Sequence, residues 1–317
     1  MKQQDPWLSV LMPVYNGAQT LAESLSSIAV QSDGVEVILV DQASADGSAE
    51  LAKQFEGQLD IKVISHPDST GWIENTNLAM HHARAPFSTF LHQDDFWYPG
   101  RVALLEHMRT AYPTAELWAH GADYVDPHSR VIGRFSPPLG RQERLVEIAE
   151  ALRRLMVQNT LALPAVMFRT ATLKEIDGLD ASLPMTADWD LWLRLIRKGG
   201  MAWAPARKAA FRLHAGSQTL KITRNYKIYE EQLGVPIAKH IDAVDPSHRE
   251  RTEAQAQASR RLNLWLASRY HGHRVSVLEF LKLFISLGPL QWIPFLQNTQ
   301  VFQRVVPRLR LMMRKSG

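Results

Sequence analysis

The feature that most constrains this chain is the alternation, in its amino-terminal part, of short apolar runs with segments of helical spacing, two of the runs closed by acids. Leu8 to Val14, Val35 to Val40, Ile61 to Ile64 and Phe87 to Leu91 read as strands. Between them, Leu21 to Val30, Ala49 to Phe55 and Glu74 to Ala83 read as helices, the first with Thr20 as N-cap and Glu23 three residues on. Strands separated by helices predict a parallel sheet in an α/β domain. In open sheets of this kind ligands sit beyond the carboxyl ends of the strands. Asp41 follows the second run and Asp94-Asp95 follows the fourth, so two strands deliver acids to one rim.

Further on, the pattern predicts a helix over Arg141 to Val157, a strand over Ala165 to Arg169 and a helix from Ala171 to Glu175. A helix over Asp188 to Arg197 and strands at Met201 to Ala204 and Ala209 to Leu213 follow. From Asn225 the spacing is helical. This divides the chain into a catalytic domain, 1–222, and a carboxyl-terminal helical region, 223–317. Zero cysteines exclude disulfides, thiolate-held zinc and a catalytic thiol. A net charge of +4 is too mild to argue for nucleic-acid binding, and no nucleic-acid module is apparent. The start lacks a signal-peptide pattern and no long apolar run is present, which predicts a cytoplasmic protein.

Four constellations carry chemistry. Asp94-Asp95 at a strand end suits a hard divalent cation, which keeps few protein ligands and completes its shell with phosphate oxygens and water. Alone, such a pair is more often a turn or a helix N-cap. Asp41, followed by Gln42-Ala43-Ser44-Ala45-Asp46-Gly47-Ser48, can accept a hydrogen bond from a nucleobase N–H, although Asp46-Gly47 is also ordinary turn punctuation. Asp188, starting the run Asp188-Trp189-Asp190-Leu191-Trp192-Leu193-Arg194, can act as a general base; the tryptophans fit a core face equally well. In Arg212-Leu213-His214-Ala215-Gly216-Ser217, the imidazole can ligate a metal and the guanidinium can pair with phosphate, though most of the 12 histidines must be bystanders.

Taken in order, these motifs resemble family 2 glycosyltransferases over roughly residues 7 to 220. The opening strand Leu8-Ser9-Val10-Leu11-Met12-Pro13-Val14-Tyr15-Asn16-Gly17, the second strand ending at Asp41, and Phe90-Leu91-His92-Gln93-Asp94-Asp95 all fit. So do the segment around Asp188 and the closing Arg212 to Ser217. The resemblance implies a GT-A fold, a Rossmann-like nucleotide-diphospho-sugar transferase with a mixed sheet flanked by helices. It implies an inverting, metal-dependent transfer from a nucleotide-diphosphate sugar, by default a UDP-sugar, to a glycan or lipid-linked acceptor in cell-surface polysaccharide synthesis. By the same resemblance, Asp188 is the base. Pro13, Tyr15, Asp41, Asn77 and Asp94 contact the donor nucleotide. Asp95 and His214 hold Mn²⁺ or Mg²⁺, and Arg212 and Trp189 are phosphate or acceptor contacts. The chain departs from the family pattern at Ala187, where a Glu is usual, at Thr76 and Ala79, and at His92, where many members have another Asp.

Two rivals are a nucleotidyltransferase, whose basic glycine-rich loop after the first strand is missing, and a catalytically silent nucleotide-sugar-binding protein. The apolar run Val275 to Leu287, the segment Leu290 to Phe295, and the basic residues Lys282, Arg304, Arg308, Arg310, Arg314 and Lys315 suit a helix pair at an anionic membrane. That would put the enzyme at the inner face of the plasma membrane. A helical cap or a dimer interface explains the same pattern.

Overall fold

The computed structural model describes residues 5–214, 223, 225–271, 278, 282, 285 and 287–315. Its centre is a ten-stranded sheet. The strands are β1 (Leu8–Val14), β2 (Val35–Asp41), β3 (Asp60–Ser65), β4 (Phe87–Phe90) and β5 (Phe96–Trp97). They continue with β6 (Leu117–Val125), β7 (Val131–Phe135), β8 (Arg144–Val146), β9 (Val166–Arg169) and β10 (Met201–Arg212). Seven helices interleave with them: α1 (Ala18–Ala29), α2 (Ser48–Lys53), α3 (Trp72–His82), α4 (Arg101–Ala111), α5 (Ile148–Val157), α6 (Thr170–Glu175) and α7 (Ala187–Gly199). Helices α8 (Tyr226–His240), α9 (Pro246–Tyr270), α10 (Pro289–Thr299) and α11 (Val301–Lys315) follow.

The sheet order is β3-β2-β1-β4-β9-β6-β10-β5, with β7 on β6 and β8 on β10. β1 is parallel to β2 and β4, and β2 to β3. The antiparallel β9 joins this half to the parallel pair β6–β10, so the sheet is mixed. Strand alternation divides the core between the two faces. Leu8, Val10, Met12 and Val14 pack with α1 and α4 residues such as Leu25, Ile28 and Leu105, while Leu11, Ile38, Val40 and Phe90 pack with α3, α5 and α7. Both faces are covered, which is why these strands read as nearly unbroken apolar runs. Register sets Val14 beside Asp41, and the Leu91 amide bonds the Leu11 carbonyl, so the three strands end at one rim.

Several sequence expectations change. Thr20 does not cap α1; Gly17 stands at that position with no side-chain cap. Residues 141–157 are not one helix. Arg144–Val146 pairs with Met201–Trp203 as β8, and only Ile148–Val157 is helical. The two strands expected after residue 200 are one strand, β10, whose register slips between Ala204 and Arg207, around Pro205, which has no N–H to give a ladder. β6 was not legible in the pattern because its nine buried residues include His120, Gly121 and Asp123. In the carboxyl-terminal helices, Tyr229, Leu233, Ile237, Ala256 and Leu264 join the same apolar cluster as α5 and α7.

Candidate active site

At the rim, the loop after β1 is tied to the loop after β4 by one side chain. Gln93 Oε1 accepts from the Tyr15 amide at 2.7 Å and Gln93 Nε2 donates to the Tyr15 carbonyl at 3.0 Å. A Cβ at Gly17 would meet the Gln93 side chain at 2.5 Å, so that close approach needs glycine there. Tyr15 itself is 57% exposed. Asp41 is buried; one carboxylate oxygen accepts from the Ser44 amide at 2.9 Å, and the other, shielded from solvent, has no partner among the described residues.

Asp94 and Asp95 differ sharply. Asp95 is buried and its Oδ1 accepts from the Arg212 amide at 2.9 Å. Burial and the charge of Asp94 push its carboxyl well above the usual range, against the opposing pull of Arg212. Asp94 accepts from His214 Nε2 at 2.7 Å and both side chains are partly open. Burial raises the Asp94 carboxyl, but the His214 hydrogen bond and the neighbouring imidazoles outweigh it and hold it low. His92 lies edge-on to Trp72 with ring centroids 5.2 Å apart; burial pulls its imidazole down, with the Asp94 charge opposing. The sequence expectation made His214 and Asp95 ligands of one metal; in the structure the hydrogen bond of His214 is to Asp94. Ala215, Gly216 and Ser217 lie outside the described residues.

Arg212 was expected to meet phosphate or acceptor. Its donors are instead spent within the protein: Nε on the Asp94 carbonyl at 2.7 Å, Nη1 on the Asp126 carbonyl at 3.1 Å and Nη2 on Glu23 at 2.6 Å. It is nearly fully buried and braces the Asp94-Asp95 turn. Asn77, expected at the nucleotide, is also spent: its amide clamps both backbone groups of Leu179, at 2.8 and 2.9 Å. Trp189 is buried with its indole N–H on the Leu155 carbonyl at 2.8 Å, so only its ring can edge the cavity.

Two carboxylates at the start of α7 show how surroundings set charge. Asp190 is fully buried, with Arg194 at 2.7 Å, Lys239 at 2.9 Å and the His240 imidazole at 2.7 Å. Burial raises its carboxyl, but these partners prevail and hold it far below the usual range. Asp188 meets only neutral donors, Asn159 Nδ2 at 2.8 Å and the Trp189 amide at 2.7 Å. Burial dominates and pushes it up to about 6. Ala187, where a second acid would stand, is fully buried against the core. A carboxylate poised near neutrality without a cation beside it is what a general base requires.

Asp94, Asp95, Asp188, Arg212 and His214 share one cavity of about 610 Å³, within the usual range for small-molecule sites, whereas Asp41 and Asp190 do not line it. Pro13, Tyr15 and Gln42 line one part; Asp94, Asp95 and His214 another; Asp188 and Asn159 a third. Asn77 lines none of it, and Asn75 does instead. Sequence reasoning missed Asn159, Gln93, Asn75 and two arginines of α11, Arg304 and Arg308, which also line it. Gln93 stands inside the motif that ends at Asp95, whereas Asn159, Asn75, Arg304 and Arg308 reach the cavity by tertiary packing. Among the described residues, no three His, Cys, Asp or Glu side chains form a ready-made metal cage.

Comparison with known proteins bears on this arrangement. Residues 9–154 match the profile of Glycosyl transferase family 2. An uncharacterized glycosyltransferase of Rickettsia bellii is 24% identical over 69% of this chain, and the match spans only 31% of that protein's length. The succinoglycan biosynthesis protein ExoU of Rhizobium meliloti is 25% identical over 60% of this chain and 57% of its own. Among solved structures, S. aureus TarS 1-349 in complex with UDP-GlcNAc superposes with a TM-score of 0.67 at 17% identity, covering 92% of this chain and 81% of that one. The mannosyltransferase PcManGT of Pyrobaculum calidifontis, in complex with GDP-Man and Mn²⁺, gives 0.57 at 15% identity, over 98% and 88%. Both superpositions speak to the fold.

Proposed function

This chain belongs to the family 2 glycosyltransferases, and from that premise we propose that it moves a sugar from a nucleotide-diphosphate donor to an acceptor hydroxyl with inversion at the anomeric carbon. The observation that carries this is Asp188, a carboxylate held near neutrality in the same cavity as Asp94 and His214. The acceptor oxygen bonds to the anomeric carbon as the bond from that carbon to the diphosphate breaks. Asp188 takes the hydroxyl proton. The orphaned Asp41 oxygen would accept from a base N–H, and Pro13 and Tyr15 would border the nucleotide.

The residues present fit a hard divalent cation, Mn²⁺ or Mg²⁺. Asp95 is pushed up by burial and by the second carboxylate beside it, a conflict that a cation relieves, and His214 and Asp94 add donors open to the cavity. When bound, such an ion neutralises charge growing on the departing diphosphate. Asp94, Asp95 and His214 would hold it with the donor phosphates, and Arg212 keeps their turn rigid.

The fold is shared with proteins solved with UDP-GlcNAc and with GDP-Man, which supports a nucleotide-sugar donor. The likeness to a succinoglycan biosynthesis protein supports a glycan or lipid-linked acceptor in polysaccharide synthesis. Incubation with UDP- and GDP-sugars, with and without Mn²⁺, tests the reading. Metal-stimulated release of nucleoside diphosphate is expected for one donor. No release and no binding of any donor would overturn it in favour of a silent or different protein.

A second observation favours contact with a lipid surface. Leu290, Ile293 and Phe302 are 87%, 69% and 68% exposed on α10 and α11. The basic half of the expected membrane face has weaker support, since Arg304, Arg308 and Arg310 bond to the protein itself. Much of Val275 to Leu287, including Glu279, lies outside the described residues. Among the described residues no helix is long and apolar enough to cross a membrane.

A further inference from the structure

Helix α11 brings two arginines to the cavity wall without an acid to balance them. Arg304 donates from Nη1 to Asn263 Oδ1 at 2.7 Å and from Nε to the Thr299 carbonyl at 3.0 Å. Its Nη2 is shielded from solvent and has no partner among the described residues. Arg308 lies beside it, bonded to the Arg304 carbonyl, with its guanidinium 5.8 Å from the Tyr124 ring centre. Neither makes an ion pair with any described carboxylate, whereas Arg84, Arg130, Arg144, Arg194, Arg207 and Arg212 all do. Arg101, another buried arginine without an acid, is closed in the sheet by Thr89 and His120 and lines no part of the cavity.

Burial and the neighbouring Arg308 charge pull the Arg304 guanidinium down to about 10, with the Tyr124 and Tyr229 phenols opposing. A buried cation with an unspent N–H beside a second cation is costly, and an anion entering the cavity relieves both. Position says which reactant brings that anion. Asn263, which holds Arg304, donates to Gln158 Oε1 at 2.8 Å. Gln158 donates to the Asn159 carbonyl at 3.3 Å, and Asn159 holds Asp188. The arginines are thus linked to the base, where the acceptor hydroxyl must sit, and not to Asp41 or Pro13.

We propose that Arg304 and Arg308 form a subsite for an anionic group, phosphate or carboxylate, carried by the acceptor. This rests on the glycosyl-transfer reading for its meaning, but the anion site can be tested without it. Isothermal titration of inorganic phosphate, and separately of glucuronate, into the full chain with UDP and Mg²⁺ present measures it directly. Saturable binding of at least one is expected, and the two arms tell phosphate from carboxylate. Arg308→Gln, whose side chain makes few bonds, should weaken that binding at least tenfold, and Arg304→Lys should weaken it less than Arg304→Gln. UDP affinity should stay within about twofold in each variant. Absent binding of both anions, or equal binding in Arg308→Gln, overturns the subsite. If UDP fails to bind while anion binding is lost in the variants, the donor reading falls and the subsite stands.

Discussion

The two ends of the cavity are built differently. The end around Asp41 and Asp94 is built on strand termini and partly on local contacts: Asp41 is held by Ser44 and Asp46 by Ser48, while Gln93, beside Asp94, ties in Tyr15 from the first strand. The end around Asp188 is assembled from residues far apart, with Asn159 on Asp188, Asn263 on Gln158, and Arg304 on Asn263. The family profile stops at residue 154, short of that second end. One end thus lies on the strand termini inside the profile, while the other, where we propose the acceptor binds, is assembled from residues beyond it.

The sharpest way to break the comparison is to disable one end and ask whether the other survives. Asp188→Asn should lower transfer about 10²–10⁴-fold while leaving donor affinity intact, as measured by turnover and nucleotide titration in parallel. Wild-type turnover would remove Asp188 as base. Next, Asp190→Asn should cost about 3–5 kcal/mol, because Arg194, Lys239 and His240 would be left around a neutral group. Denaturant unfolding checks it. A stable but inactive Asp190→Asn would mean that this acid, too, serves chemistry.

At the nucleotide end, Asp94→Ala and Asp95→Ala should each weaken metal-dependent donor binding, roughly tenfold or more, and His214→Ala less. If Asp95→Ala binds donor normally, the cation sits on Asp94 and His214 alone. The pH dependence follows from the raised Asp188 carboxyl. Activity requires its ionised form, so kcat/KM should fall as pH drops through about 6. The same shift has the opposite sign for stability. A carboxyl raised above its unfolded value favours the folded state when protonated, and that advantage is lost as pH rises through about 6. Asp188→Asn should therefore raise Tm at pH 8, roughly half as much at pH 5, and hardly at all below about pH 4, where both states are protonated. The smallest effect is at the surface: replacing Leu290, Ile293 and Phe302 by Glu should abolish flotation with anionic liposomes without changing nucleotide binding. Flotation unchanged by the replacements, or absent in the wild type, ends the membrane proposal.

Much of the first end was legible because strand periodicity and turn chemistry are local. Apolar runs closed by Asp41 and Asp94 located the rim, and β1 to β4 lie close to where the pattern put them. The internal bonds of Arg212 and Asn77 were not legible for the complementary reason. A side chain's free donors depend on what packs against it, and Glu23, Asp126 and Leu179 come from elsewhere in the chain. By itself, then, the sequence determined the alternating fold, the acids at its edge and the family. Tertiary structure decided which of those acids carries charge. Asp188 and Asp190 are two residues apart on one helix, yet Arg194 one turn on and Lys239 and His240 from another helix hold one ionised, while neutral amides leave the other near neutrality. Charge inside a protein is set by desolvation and by partners within a few ångströms, and neither is written in the local sequence.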